Sequence, residues 1–386
     1  VLVKLSARGL KALSATSERP FIGRVTTEVT EPGADDILLV EGEGNGLPDG
    51  FRAYFLRHRR PPGDKRDVYL LGADHQYLGA GDVVRVDPGR GGLTGIYRAN
   101  SRSNTFLVTE RCDHLCVMCS QPPKEGDDSW LVDDLEQAIP LIPTDAVEIG
   151  LTGGEPTLLG ERFVGLLALL RDRLPHTAIH VLSNGRRFAD PAFTRAVAAV
   201  RHPDLVLGIP LYADLPEDHD YIVQSRGAFD ETVRGLVELK RAGVGVEVRF
   251  VIHGETVGRL ADFARFVARN LTFVDHVALM GLEPVGFAKT HLDRLWIDPL
   301  DYQQPLLDAT LTLHRVGLAV SLYNHQLCVL DPRLHPFARQ SISDWKNLYL
   351  GACDGCAERE ACGGFFASSV VRHSRGITPF VRPTGG

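Results

Sequence analysis

Asn104–Pro123, NTFLVTERCDHLCVMCSQPP, is the stretch on which the reading of this chain turns. Thr105–Thr109 has the β-branched and aromatic composition of a buried strand, and Cys112-x3-Cys116-x2-Cys119 follows it at once. Three thiolates within eight residues of a loop can wrap one corner of a cubane iron–sulfur cluster, leaving one of four irons open to a small molecule. A structural zinc site prefers four ligands arranged in C-x2-C pairs, so three clustered cysteines suit the cubane better.

Outward from that loop, apolar runs of four to six residues alternate with amphipathic stretches, the pattern of β/α units around a buried parallel sheet. Strands are predicted at Thr105–Thr109, Ala146–Leu151, Ile179–Leu182, Leu205–Ile209, Val246–Ile252 and His276–Met280. Between them lie helical faces such as Phe163, Leu166, Leu167, Leu169 and Leu170. Six such units predict an α/β fold, a partial (β/α)6 TIM-like barrel whose chemistry sits where strands end.

Motifs do follow strands. LTGGEP (Leu151–Pro156) offers two glycines for close backbone approach and Glu155 for a ligand ammonium. LSNGRRF follows the third strand and presents Ser183, Asn184 and Gly185, small polar groups suited to hydroxyl and carboxylate partners. Arg249, a lone charge within VEVRFVI, needs a partner, either a ligand carboxylate or a structural ion pair. Met280, Gly281, Leu282 and Glu283 close the sixth strand, and PEDHDYIVQSR (Pro216–Arg226) reads as a polar loop able to line a substrate site.

Residues 1–100 are rich in Gly, Pro and Asp, with short apolar runs at Asp36–Val40, Val68–Leu71 and Asp82–Val86, which predicts a small β-rich module. Arg57–Arg66, RHRRPPGDKR, reads as a solvated loop, and Gly376–Gly386 as a loosely packed tail. A helix is expected at Tyr302–Val316 and a strand at Leu318–Leu322. The expected division is therefore 1–100, a barrel at 101–300, a further domain at 301–372 and a tail at 373–386. The seven cysteines are an odd number, which disfavours a fully paired secreted scaffold. Four of them, Cys328 and Cys353-x2-Cys356-x5-Cys362, complete a second set whose count fits either a cubane or a tetrahedral zinc.

A formal net charge of -7 argues against a nucleic-acid partner. No apolar run reaches membrane-spanning length and Val1–Leu13 lacks a signal-peptide core, so the expectation is a cytoplasmic protein with no membrane partner. None of the 14 histidines falls in a His-x-x-His or His-Glu-x-x-His pattern, which argues against a zinc hydrolase site.

The C-x3-C-x2-C loop after the first strand, with LTGGEP one unit later, resembles the radical S-adenosylmethionine (SAM) superfamily. That resemblance implies a [4Fe-4S] cluster on Cys112, Cys116 and Cys119, and a SAM molecule whose reductive cleavage yields a 5′-deoxyadenosyl radical. It implies SAM contacts at Gly153, Gly154, Glu155, Ser183, Asn184 and Arg249, and adenine contact near Met280–Glu283. The last four cysteines resemble a SPASM or twitch domain, implying a second [4Fe-4S] cluster on Cys328, Cys353, Cys356 and Cys362. CSQPP, LTGGEPTLLG, MGLEPVGFAK, LWIDP and WKNLYLGACDGC together resemble the C-type partner of the His-Xaa-Ser system maturases. The implied partners are a ribosomally made peptide or protein substrate, a second radical SAM protein and an external donor such as a flavodoxin or ferredoxin. A small-metabolite substrate, or a zinc- or cluster-stabilised binding protein, are the competing readings, and no catalytic base is identified from the sequence.

Overall fold

The computed structural model describes residues 6–42, 46–58, 66–340, 348–370 and 372–381. Most of the charged loop at 57–66 and the Trp345–Asn347 part of WKNLYLGACDGC fall outside these residues. Chain contacts form two compact units, one of residues 1–108, 127–150 and 165–178, the other of residues 109–126, 151–164 and 179–386.

In the first unit, eight strands form one sheet: β1 (Ser6–Arg8), β2 (Lys11–Ser14), β3 (Phe21–Thr26), β4 (Asp36–Val40), β5 (Ala53–Leu56), β6 (Val68–Leu70), β7 (Val83–Asp87) and β8 (Gly92–Tyr97). Their order is β1-β8-β7-β3-β4-β5-β6-β2, so the two ends of the sheet, β1 and β2, are consecutive in the chain. Gly9, at φ +117°, lets that N-terminal stretch leave β8 and join β6, which closes the sheet on itself. Phe21, Val25, Ile37, Leu39, Phe55, Tyr69, Val84 and Leu93 fill one core cluster. Helix α1 (Trp130–Ala138) is in the same unit, where Arg85 reaches Asp134 at 2.7 Å and lies over the Trp130 ring.

A second sheet of seven strands comprises β9 (Ser103–Thr109), β10 (Glu148–Gly153), β11 (Ala178–Leu182), β12 (Leu205–Pro210), β13 (Gly245–Ile252), β14 (His276–Gly281) and β15 (Ala319–Tyr323), adjacent in chain order. The six predicted strands are all there, and the predicted Leu318–Leu322 strand joins the same sheet as a seventh, parallel to β14. The connecting helices are α2 (Glu161–Arg173), α3 (Pro191–Ala199), α4 (Pro216–Val223), α5 (Ala228–Arg241), α6 (Leu260–Asn270), the short α7 (Phe287–Thr290) and α8 (Leu292–Leu295), and α9 (Gln303–Arg315). The segment read as a polar loop at Pro216–Arg226 is mostly helix α4, because Pro216 sits at its first turn, where its missing N–H costs nothing.

Alternation along β13 decides which side chains face inward. Val246, Val248, Phe250 and Ile252 are buried on one face, while Glu247 and Arg249 project from the other. Helix α6 answers the apolar face with Leu260, Phe263, Ala264 and Val267, the spacing of one helical stripe. Phe250 and Phe263 meet at 4.4 Å between ring centroids. Phe250→Ala should lower the stability of this unit by about 3–5 kcal/mol in chemical denaturation, the cost of a buried aromatic cavity.

Candidate functional site

The cysteine loop is gripped from several sides. At the end of β10, a side chain on Gly153 would sit 2.2 Å from the Thr109 carbonyl, and one on Gly154 would sit 2.0 Å from the Arg111 carbonyl. Both glycines are therefore required where β10 abuts the loop, and the Glu155 N–H donates to the Arg111 carbonyl at 2.7 Å. Helix α4 presents its last carbonyls to the loop: Leu115 N–H donates to Val223, and Val117 N–H to Ile222. After β14, Gly286 leaves no room for a side chain, with the Cys119 carbonyl 2.4 Å from its ideal Cβ, and Phe287 N–H donates to that carbonyl at 2.8 Å.

The predicted SAM residues of the second and third strands form one hydrogen-bonded knot. Glu155 is fully buried, and its carboxylate accepts from Thr157 N–H, Thr157 Oγ1, Ser183 Oγ and Asn184 N–H at 2.6–2.9 Å. Burial pushes its carboxyl pKa up against the pull of those bonds. The Asn184 amide then donates to Asp113 inside the cysteine loop at 2.6 Å. Arg186 reaches Asp113 at 3.0 Å and Glu231 of α5 at 2.5 Å. Helix α5 comes close enough that a side chain on Gly235 would meet the Gly185 carbonyl at 2.2 Å. Thus Glu155 and Ser183 hold the two strand ends together, and Asn184 ties both to the loop.

Burial raises the Cys112 thiol pKa to about 12 and pushes Cys116 and Cys119 up as well, with Cys112 and Cys116 also feeling the neighbouring thiolates. A cationic iron centre offsets that electrostatic cost, which makes the loop a fitting cluster site. Tyr212, just past β12, packs with Cys116, Val117 and Met118. Its ring stacks on His219 at 5.9 Å.

Arg249 is engaged within the protein: its Nη2 lies 3.2 Å from Met280 Sδ and its Nη1 3.4 Å from Glu247 Oε1. The ion pair is thus one of the partners this arginine has within the chain. Deeper along the same face, Glu247 meets His276 Nδ1 at 2.6 Å, and His276 Nε2 meets Ser321 Oγ at 2.8 Å. Burial works to raise the Glu247 carboxyl, but the His276 hydrogen bond with Arg249 and His180 outweighs it and holds the group below its ordinary range. Gly208 on β12 makes space for this row, since a side chain there would lie 2.8 Å from His180 Nε2.

The other four cysteines, of which Cys353 and Cys356 share one turn, line one hollow walled by Leu327, Phe365, Ile377, Pro379 and Phe380. Burial raises the Cys328 and Cys362 thiols, and the neighbouring thiols push the same way. Among the described residues, no three His, Cys, Asp or Glu side chains are drawn tight enough to hold a single metal ion.

A family model described as "Radical SAM superfamily" matches residues 106–267, the span that holds the cysteine loop, the Gly-Gly-Glu turn and Arg249. Residues 106–267 thus match a radical SAM domain. The matched family is one of enzymes, and it implies a [4Fe-4S] cluster and SAM. No curated protein matches it in sequence. Among solved structures, Streptococcus suis SuiB bound to S-adenosylmethionine is similar at 14% identity and a TM-score of 0.48, with 65% of this chain and 56% of that chain covered. The match to SuiB bound to precursor peptide SuiA has 13% identity and a TM-score of 0.46, with 61% and 51% covered, so this chain spans about half of SuiB's length. A radical SAM methyltransferase from Sphaerobacter thermophilus is similar at 15% identity and a TM-score of 0.43, with 64% and 74% covered. Among the described residues, no helix is long and apolar enough to cross a membrane.

Asp113, Arg186 and Gly286 escape a reading of the sequence because their partners lie tens of residues away; only the arginine after Ser-Asn-Gly gives a local hint. Glu155→Gln keeps the shape but presents an N–H to a site built of donors, and should cost about 1–3 kcal/mol by thermal or chemical unfolding. Buried neutral histidines give a pH dependence. Burial pulls His114 down to about 4 and His219 and His253 to about 3, from an ordinary value of 6.5. The unfolded chain takes up these protons first, so the stability from the neutral rings is complete above 6.5 and is lost as pH falls toward 4 and 3. The melting temperature should therefore drop between about pH 7.5 and about pH 5.5; an unchanged value would show that these rings are not held neutral.

Proposed function

We propose that this radical SAM enzyme modifies a ribosomally made peptide or protein by hydrogen abstraction, as a maturase of the His-Xaa-Ser type. The observation that carries the reading is the cysteine loop pinned against the Gly-Gly-Glu and Ser-Asn-Gly turns, a fixed cradle at the ends of parallel strands. Cys112, Cys116 and Cys119 would hold the cluster whose electron cleaves SAM. Gly153, Gly154 and Glu155 would offer SAM's amino group their main-chain carbonyls, since the Glu155 side chain is occupied as a brace. Ser183 and Asn184 would shape the ribose side, and Arg249 the carboxylate side after letting go of Met280. Cys328, Cys353, Cys356 and Cys362 would hold a second, fully ligated cluster, and the four-cysteine hollow supports that assignment.

In this reading residues 101–300 carry the SAM chemistry, 301–372 the auxiliary cluster, and 1–100 dock a peptide leader or a partner. A second radical SAM protein and a flavodoxin or ferredoxin donor complete the proposed system, acting in the cytoplasm. Anaerobically reconstituted protein with dithionite and SAM should release 5′-deoxyadenosine, and alanine at Cys112, Cys116 and Cys119 together should abolish it. Co-expression with a precursor containing His-Xaa-Ser repeats should change the precursor's mass. Turnover of SAM beside an unaltered precursor would leave the radical chemistry standing and reject the peptide substrate.

A further inference from the structure

The segment from Ser374 to Phe380, expected to belong to a loose tail, is latched and woven into the four-cysteine site. Its latch is Asp298, a buried carboxylate at the head of the turn that leads into α9. Asp298 accepts from Ser374 Oγ at 2.6 Å and from Arg375 N–H at 3.0 Å, while Arg375 Nη1 reaches Asp301 at 3.0 Å. Gly376 packs so closely on Leu300 that a side chain would meet its Cδ1 at 2.6 Å. Beyond the latch, Thr378 lines the hollow together with Cys328, and Phe380 N–H donates to Cys356 Sγ at 3.4 Å. The Phe380 carbonyl accepts from Ala357 N–H, one residue past Cys356, at 2.8 Å. Ile377, Thr378, Pro379 and Phe380 form one wall of the hollow.

We propose that residues 374–380 are a strap that closes the auxiliary cluster site, latched at Asp298 and bonded by the Phe380 main-chain N–H to Cys356. The proposal rests on the four cysteines holding a cluster. Main-chain donors to cysteine sulfurs and the exclusion of solvent are the means by which a protein steadies such a cluster. Ser374, Arg375 and Asp298 are positioning residues, acting on the cluster through the strap.

The test uses full-length protein with Cys112, Cys116 and Cys119 changed to alanine, so that only the auxiliary cluster remains. In that background, Ser374→Ala with Arg375→Ala, and separately Asp298→Ala, are compared for iron release to a ferrous chelator. Release should quicken on the order of tenfold or more, because weakening hydrogen bonds to a buried carboxylate favours local opening. The paramagnetic resonance spectrum of the reduced cluster should change as well, since the Cys356 sulfur loses its donor; a purely structural latch elsewhere would leave that spectrum alone. Arg333→Ala, which removes an exposed pair with Asp331 outside the strap, should match the parent in both readouts. Parent-like release and spectrum in the latch variants would overturn the strap while leaving the cluster in place. Parent protein that retains no iron, or that retains zinc in its stead, would overturn the cluster reading and the strap with it.

Discussion

A buried carboxylate with four protein donors sits at the centre of this protein's candidate site. Removing a charge from water is costly unless every lone pair is answered, and Glu155 is answered by Thr157, Ser183 and Asn184. Satisfying it forces the ends of β10 and β11 to a fixed separation. Asn184, held at that separation, then fixes Asp113 and with it the cysteine loop. The loop has no regular secondary structure of its own through most of its length, so its shape is borrowed from these neighbours. A three-sulfur grip on a cluster requires that shape before any iron arrives, which is why the support is built from rigid strand ends and not from another loop.

The inner face of the sheet shows the same economy of partners. Arg249, Glu247, His276, His180 and Ser321 would each be expensive alone in an apolar interior, yet together they form a row in which charge and hydrogen bond are shared. The row lies toward the start of β14 and the middle of β13, away from the strand ends, and Ser321, His276 and Glu247 line up as hydroxyl, ring and carboxylate. No oxyanion-binding element accompanies them among the contacts described, and their placement deep along the strands reads as a polar floor that orients Arg249. Ligand binding that frees Arg249 from Met280 would leave Glu247 still paired with His276, so the floor does not collapse when its uppermost member moves.

At each end of the chain, closure is achieved by a short segment that changes partners. Gly9 lets the N-terminal stretch pair first with β8 and then with β6, leaving the small module without a long free sheet edge to aggregate through. Near the other end, residues 374–380 leave the Asp298 latch and pass along the cysteine hollow. Both devices depend on glycine where the backbone turns or comes too near a neighbour, at Gly9 for its positive φ and at Gly376 for its contact with Leu300.

Periodicity was enough to place the six β/α strands in order, a further strand at Leu318–Leu322 and the β-rich character of the first hundred residues, and the cysteine spacing marked the loop after the first strand of the larger sheet. Those features are local: a strand's alternation and a C-x3-C-x2-C spacing are complete within a dozen residues, so the chain displays them directly. What Glu155 does was decided only by tertiary structure, because its four donors come from three residues up to 29 positions away. The same holds for α4, whose polar composition suggested a loop but whose last carbonyls are needed by the cysteine loop, and for the strap, whose Gly- and Pro-rich sequence looks loose until Asp298, 77 positions earlier, receives it. Sequence fixes which groups are available locally; whether a buried polar group faces a ligand or a neighbour depends on which distant donors the fold brings within hydrogen-bond reach.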